Sequence, residues 1–555
     1  MFDDKLASLI AKKFGLDKDE VKDLLEVPPN PSLGDFAFPC FSLAKKLKKS
    51  PAQIASENTD INASFLKEVK AVGPYLNFFL NNFSVSLKLK DLGFDFKQSF
   101  ETILIESPSP NTNKPLHLGH VRNMLLGVST ANIFKKLGNN VLLTEVVNDK
   151  GTHICKSMLA YKLYGEGETP KSSGIKGDFF AGKYYVLFNE KLKENPELEQ
   201  KAQQMLVDWE NGDTEVLKLW DKMREWCLDG FRESYKDFGM KIDVAYFESD
   251  LYLEGKKIVE QGLAQNKFKK EEDGAIYVDL EHKGLGKKYL QRKDGTSIYI
   301  TQDIYLAKKR FNEFKMDKMV YVVASEQDYH FKVLFEIFNI LEYEFAQKCH
   351  HLSYGMVHLP EGRMKSREGN VVDADKFRLE LIEDAKSELK ERYSLDESEL
   401  NRRAEIIGMG ALKFFILKHD SKKDMTYNPK ESLSFSGETG PYIQYTYARI
   451  CSIFKKSSSK PSLSDNLAHD LEKQLTFKLF DFEGVILKSA QDYKPSLICN
   501  YLLELSQLTT KYYHEVQIIS DDKELEQSRL FLLDKVRVTL KEGLAILGID
   551  VLYEM

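Results

Sequence analysis

Hydrophobic and polar positions change period several times along the chain, and each change predicts a different kind of element. In residues 1–90, two helical stretches, Asp4–Phe14 and Pro51–Glu57, bracket a Gly34-Asp35-Phe36 turn, and the β-favouring run Tyr75–Leu80 closes a small α/β module. From Thr102 the order becomes strand, loop, helix, strand. The apolar run Thr102–Glu106 predicts a buried parallel strand, and a polar loop rich in Pro, Ser and Asn follows. A helix is then predicted from about His117 to Leu137, with Met124, Val128 and Ala131 on one face, a stop at Gly138 and a strand at Val141–Val147. This spacing is one half of a doubly wound nucleotide-binding sheet.

A second half comes much later: Ser297–Ile300 leads into a helix around Asp303–Phe311, then strand Met319–Ala324 and helix Tyr329–Leu341. The about 140 residues between the halves are mostly helical, with a hairpin-like Gly274–Val278, and read as an insertion. After about Ser434 the pattern is all-helical. Ile443, Tyr447, Ile450 and Phe454 form one stripe; Leu533, Val536, Leu540, Leu544 and Leu547 form another, capped by Gly548. The expected fold is α/β. A Rossmann-like doubly wound parallel-sheet domain (100–395) carries a helical insertion (about 152–290). A small N-terminal α/β module (1–90) precedes it; connecting helices (396–434) and a C-terminal α-helix bundle (435–555) follow.

Composition refines this picture without redirecting it. With 42% hydrophobic and 30% charged residues the chain can bury sizeable cores, and its 555 residues suggest three to four domains. No apolar run approaches the roughly 20 residues of a membrane span, and the acidic start Met1-Phe2-Asp3-Asp4 is unlike a signal peptide. A cytoplasmic protein is expected. Six scattered cysteines without a CxxC pair argue against a disulfide framework or a structural zinc site, and predict buried thiols. A net charge of −6 means that any nucleic-acid surface must be a local basic patch. Lys45, Lys46, Lys48 and Lys49 form one, although such a cluster is more often a solvated helix end.

The chemistry concentrates in Pro110-Asn111-Thr112-Asn113-Lys114-Pro115-Leu116-His117-Leu118-Gly119-His120. A glycine between two histidines at a helix start lets a flat base approach the backbone, and the amides and dipole there favour phosphate. Two imidazoles one turn apart can donate to oxygens on a reacting phosphate. Alone, HxGH is a short pattern; its place after a strand and loop raises it well above chance.

This segment resembles the HIGH motif of class I aminoacyl-tRNA synthetases, and the fuller run from Glu106 to His120 resembles arginyl-tRNA synthetases in particular. Five further likenesses follow in order along nearly the whole chain: Gly34–Ala37; Lys293–Thr296 with Tyr299–Asp303; Ala324–His330; Gly437–Tyr445; and Gly543–Ile549 with terminal Met555. The insertion is weakly covered. The resemblance implies ligation of L-arginine to tRNA(Arg) using ATP and Mg²⁺, a monomer, and first-step chemistry that needs bound tRNA. Arginine binding falls to Glu106, Asn111, Tyr299, Asp303 and Gln327. ATP binding falls to Pro110, Asn111, Leu118, Gly119, His120, Arg363, Met364 and Ser366. Catalysis falls to His117, His120, Lys114, Lys365 and Arg367. No metal ligands are assigned on the protein. Carboxylates suit a planar five-donor guanidinium, and leaving them unpaired would reject competitors.

One departure stands out. The usual KMSKS loop here reads Arg363-Met364-Lys365-Ser366-Arg367, with Ser366 in place of the second lysine. Such loops occur within the arginyl family, where a lysine just before the HIGH motif is held to compensate; Lys114 has that place. Tyr442, Gln444 and Arg449, at the start of the bundle, are candidates for tRNA contact, while Tyr445 and Tyr447 are expected in the core. A non-catalytic tRNA-binding paralogue is the rival reading, supported only by the altered loop. Cysteine or methionine ligases commonly use cysteine-rich metal sites that are missing here, glutamate or glutamine ligases lack a reason for paired acids, and a small HxGH nucleotidylyltransferase is excluded by length.

Overall fold

The computed structural model describes residues 2–96, 100–251, 254–293, 298–358, 373–464 and 466–555. The chain divides into two compact units: residues 1–93 with 452–481 and 507–539, and residues 94–451 with 482–506 and 540–555.

In the first unit, helix α1 (Phe2–Phe14) buries Phe2, Leu6, Ala7, Ile10 and Phe14, the stripe its period predicts. Helix α2 (Pro51–Glu57) starts at a Ser50–Gln53 capping box with proline in its first turn. Three antiparallel strands, β1 (Phe36–Pro39), β2 (Leu66–Val72) and β3 (Tyr75–Leu80), lie in the order β1-β3-β2. The Gly34-Asp35-Phe36 turn serves this module: Asp35 accepts the Leu80 N–H at 2.6 Å and pairs with Lys473 at 2.5 Å.

The second unit is built on a parallel sheet. Strand β4 (Thr102–Glu106) is followed by helix α3 (Leu118–Lys136) and strand β5 (Asn140–Val147). Four long helices come next, with a short one at Pro170–Ser173 between the first two: α4 (Thr152–Tyr164), α5 (Gly177–Glu194), α6 (Glu197–Glu210) and α7 (Thr214–Phe238), packed around Phe180, Tyr184, Phe188 and Trp209. Strand β6 (Val244–Phe247) then returns to the main sheet beside β5. That corrects the expected insertion, which is not wholly outside the sheet; a four-residue strand is too short for its period to register. The hairpin-like segment is part of a small antiparallel sheet of β7 (Lys269–Lys270), β8 (Ile276–Asp279) and β9 (Lys287–Gln291).

Helix α8 (Tyr299–Phe314) starts earlier than expected, so Tyr299 and Ile300 are helical; buried Ile300, Ile304 and Ala307 mark its inner stripe. Strand β10 (Lys318–Ala324), helix α9 (Asp328–Ile340), strands β11 (Cys349–Tyr354) and β12 (Val357–His358), helices α10 (Ala374–Arg392) and α11 (Glu397–Lys418), and strand β13 (Met425–Thr426) complete the unit's central part. The five-stranded sheet has the order β11-β10-β4-β5-β6, all parallel. The chain runs outward on one side of β4 and later on the other, so the direction reverses between β4 and β10. Ligands of open parallel sheets bind at the carboxyl ends of the strands at this reversal.

Helix α3 crosses the sheet there. Asn123 donates to the Val322 carbonyl at 2.6 Å and accepts from Ser107 at 2.6 Å. A Cβ on Gly127 would come within 2.6 Å of Ser107 Oγ, so the approach of helix to loop requires glycine. The C-terminal segment consists of α12 (Gly440–Lys456), α13 (Asp470–Asp492), α14 (Ser496–Glu515) and α15 (Lys523–Ile546).

Candidate functional site

Beyond β4 the chain does not leave the sheet at once. Asn148 N donates to the Pro110 carbonyl at 3.1 Å and Thr112 N to the Asn148 carbonyl at 3.0 Å, so Asn111 and Asn148 form a parallel bridge past the strand ends. Buried Asn113 donates to the His153 carbonyl at 3.1 Å, and the His153 ring meets Asn148 Oδ1 at 3.1 Å. The loop that carries Pro110, Asn111 and Lys114 is thereby held to the end of β5.

His117 is the N-cap of α3. Its Nδ1 accepts the Gly119 N–H at 3.1 Å, and His120 Nδ1 accepts the His117 N–H at 3.1 Å. The two rings lie 3.9 Å apart, centroid to centroid. Each Nδ1 receives a main-chain proton, so each neutral ring carries its own proton on Nε2. Burial, helped by the Lys114 charge, pushes His117 down to about 4, and burial pushes His120 well down, with His117 and Lys114 adding to it. Both are neutral Nε2–H donors near pH 7. Gly119 gains a second reason: a Cβ there would stand 2.9 Å from Cε1 of the His117 ring. Leu118, between them in sequence, is fully buried.

Around the ends of β4, β5 and β6, and on α8, lie the acids. Glu106 ends β4, and its Oε2 accepts from Arg310 Nη1 at 2.5 Å. Asp303, one helical turn after Tyr299 on α8, meets His330 Nε2 at 2.8 Å. Tyr299 is 63% exposed and Gln327 is exposed, so both can still turn toward a ligand. Sequence reasoning missed Glu248, which directly follows β6. It is 8% exposed, and burial, with Asp149 and Asp303 nearby, pushes its carboxyl up to about 7. The Tyr299 hydroxyl is shifted up by the partial burial of its tip and then by the Glu248 charge. Asp149 at the end of β5 is held by Ser249 N and Oγ, each at 2.9 Å, and lies 3.5 Å from Arg224. A buried acid after a short strand carries no sequence signal of its own; only the sheet brings it to Asp303.

Arg363, Met364, Lys365, Ser366 and Arg367 lie outside the described residues. Of the tRNA candidates, Tyr442 and Arg449 are half-buried, and Arg449 donates to the Tyr445 hydroxyl at 3.0 Å while its guanidinium lies 4.8 Å from that ring. Gln444 is a correction. It is fully buried, and its amide donates to the carbonyls of Ile406 and Asp550 at 3.1 and 2.8 Å, so it joins α12 to α11 and the C-terminal tail instead of facing a nucleic acid. Tyr447 is in the core as expected, whereas Tyr445 is only half-buried. Five of the six thiols are buried and Cys349 is partly so.

Comparison with known proteins gives matches over almost the full length. Residues 2–80 match the family described as arginyl tRNA synthetase N terminal domain, 87–428 that of tRNA synthetases class I (R), catalytic domain, and 443–555 the DALR anticodon binding domain. The chain is 45% identical over 548 residues to the arginine–tRNA ligase of Treponema denticola, covering 94% of this chain and 92% of the relative. It is 41% identical over 581 residues to that of Parabacteroides distasonis, covering 98% and 97%. Its fold is similar to the solved arginyl-tRNA synthetase of Thermus thermophilus, with a TM-score of 0.84 and 26% identity over 100% of both chains.

Proposed function

The chain belongs to the arginyl-tRNA synthetases, and from that premise we propose that it ligates L-arginine to tRNA(Arg) with ATP, on the loop and helix that follow β4. The observation that carries the placement is the His117–His120 pair, whose capping bonds leave two neutral Nε2–H donors at a helix N-terminus.

Such donors suit a reacting phosphate, because they strengthen as charge builds on its oxygens and need no proton transfer. The arginine carboxylate attacks the α-phosphorus of ATP, the bond from that phosphorus to the bridging oxygen breaks, and pyrophosphate leaves; Mg²⁺ carried with ATP would offset its charge. The terminal tRNA hydroxyl then attacks the adenylate carbonyl, the bond from that carbon to the phosphate oxygen breaks, and an ester and AMP form as the hydroxyl proton is released. Pro110, Asn111, Leu118 and Gly119 would floor the nucleotide. Lys114, with Lys365 and Arg367 assigned by the family resemblance, would supply cations for the phosphates.

The amino acid fits the acids at the strand ends. Glu106 already faces a guanidinium, that of Arg310, so the substrate's own fork is read by Asp303 and Glu248, with Tyr299 beside them. Asn111 and Gln327, assigned by the family resemblance, would take the polar end of the amino acid. The C-terminal helices would take the anticodon arm, with Tyr442 and Arg449 at its edge. A cytoplasmic enzyme acting as a single chain is part of this reading, in keeping with the resemblance; no helix among the described residues is long and apolar enough to cross a membrane.

Arginine-dependent ATP–pyrophosphate exchange in the presence of tRNA(Arg) tests the reading, with His120→Ala as its control. Exchange in the wild type that falls in the variant supports it; no exchange with cognate tRNA would leave a non-catalytic binder.

A further inference from the structure

Two residues past His120, on the same first turns of α3, Arg122 is wholly buried. Its partners are main-chain carbonyls drawn from two distant stretches. Nη1 donates to Gly355 at 2.7 Å and Met356 at 3.3 Å; Nη2 donates to Lys423 at 2.9 Å, Ser421 at 3.0 Å and Asp420 at 3.4 Å. These stretches lead into β12 and β13, which pair in parallel as Val357↔Met425 and His358↔Thr426. Asp424 adds to the junction by accepting the Met356 N–H at 2.7 Å. Burial brings the Arg122 guanidinium down only to about 10, so it stays charged near neutral pH. One planar fork therefore ties the histidine-bearing turn to both strands at once. On its other side the same turn is tied to the start of α10, where the Leu116 carbonyl accepts the Ala374 N–H at 3.0 Å and His117 bridges to Asp373.

We propose that Arg122 is a positioning residue of the ligase reaction: it locks the first turn of α3, and with it His117 and His120, to the β12–β13 pair, so that the imidazoles meet the reacting phosphate at a fixed distance. This rests on the reading that the two histidines act on ATP. A purely structural arginine would change stability and leave the turnover of folded enzyme alone. A positioning arginine lowers kcat at unchanged KM, because the groups that bind substrate are still present while their alignment in the transition state is lost.

The test is steady-state charging of tRNA(Arg) by Arg122→Lys and Asp424→Ala, with His120→Ala alongside. Lysine keeps the charge and loses the fork; Asp424, whose side chain is 57% exposed, can be truncated with little risk to folding. Expected are a kcat about 100-fold lower for Arg122→Lys and about tenfold lower for Asp424→Ala, with KM for arginine and ATP within about twofold of wild type. If Arg122→Lys does not fold, Asp424→Ala decides. A kcat within about twofold of wild type in the folded variants, or a KM that rises as kcat falls, overturns the positioning role. In those cases a loss of activity in His120→Ala shows that the site itself stands; wild-type turnover in His120→Ala would remove the site reading as well.

Discussion

Glu106 and Arg310, 204 residues apart in sequence, form a largely buried ion pair at 2.5 Å beside the place proposed for the amino acid. Arg310 comes from α8, seven positions after Asp303, and its guanidinium also lies 4.9 Å from the Tyr246 ring. The protein thus keeps one guanidinium of its own beside the place proposed for another. Removing one partner leaves a buried charge alone, which typically costs about 3–5 kcal/mol, whereas removing both often costs little. Arg310→Met should therefore be strongly destabilised in denaturant titration, and Glu106→Gln with Arg310→Met should regain most of the loss. Equal stability of the single and double variants would show that the pair does not balance Glu106.

If Glu248 reads the arginine side chain as proposed, arginine binding should depend on pH. Its carboxyl, pushed up to about 7 by burial and by Asp149 and Asp303, is largely protonated in the free enzyme below that pH. A cationic fork needs the ionised form, so binding releases a proton. The sign follows: KM for arginine falls as pH rises through about 7, by at most about tenfold per pH unit below it, and levels above. Glu248→Gln should raise KM and flatten this profile. A profile of the same slope in the variant would take Glu248 out of the pocket.

One substitution can separate the cap that His117 provides from the catalytic task proposed for it. Its Nδ1 caps α3, and a capping side chain is worth about 1 kcal/mol, while one lost donor to a reacting oxyanion typically costs about 10²–10³ in kcat. Asparagine can keep the cap and lacks the Nε2–H. His117→Asn should melt close to wild type and lose about 100-fold in ATP–pyrophosphate exchange, whereas His117→Ala should lose both. Normal exchange by the asparagine variant would leave His117 a cap and nothing more.

Sequence reading was most informative where the determinants are local. The apolar run of β4, the histidine spacing and the stop after α3 all depend on neighbours a few positions away, and their bounds agree with the structure to within a residue or two. Glu248 was invisible because Asp149 and Asp303 reach it from other strand ends and from α8. Gln444 misled for a similar reason: a polar side chain at the start of the bundle suggests a surface, yet the carbonyls of Ile406 and Asp550 receive it inside. The Arg122 junction likewise joins α3 to carbonyls at 355–356 and 420–423, which no periodicity links.

Lys114 is the residue by which the altered second motif can be tested. It stands three positions before His117, and after burial its charge helps to depress His117, His120 and His153. If it replaces the lysine that Ser366 lacks, Lys114→Ala should lower adenylate formation by about 10²–10³, the scale of one lost electrostatic contact to the transition state. KM for arginine should stay within about threefold, since the acids that read the side chain are untouched. Two further results should accompany this. Ser366→Lys placed in the Lys114→Ala enzyme should restore part of the rate, because either position supplies a cation to the same phosphates. His117 should titrate above its value of about 4 once the neighbouring charge is gone, a shift that NMR of the ring protons can follow. A Lys114→Ala enzyme with normal turnover would show that the ammonium tunes the histidines without acting on the phosphates.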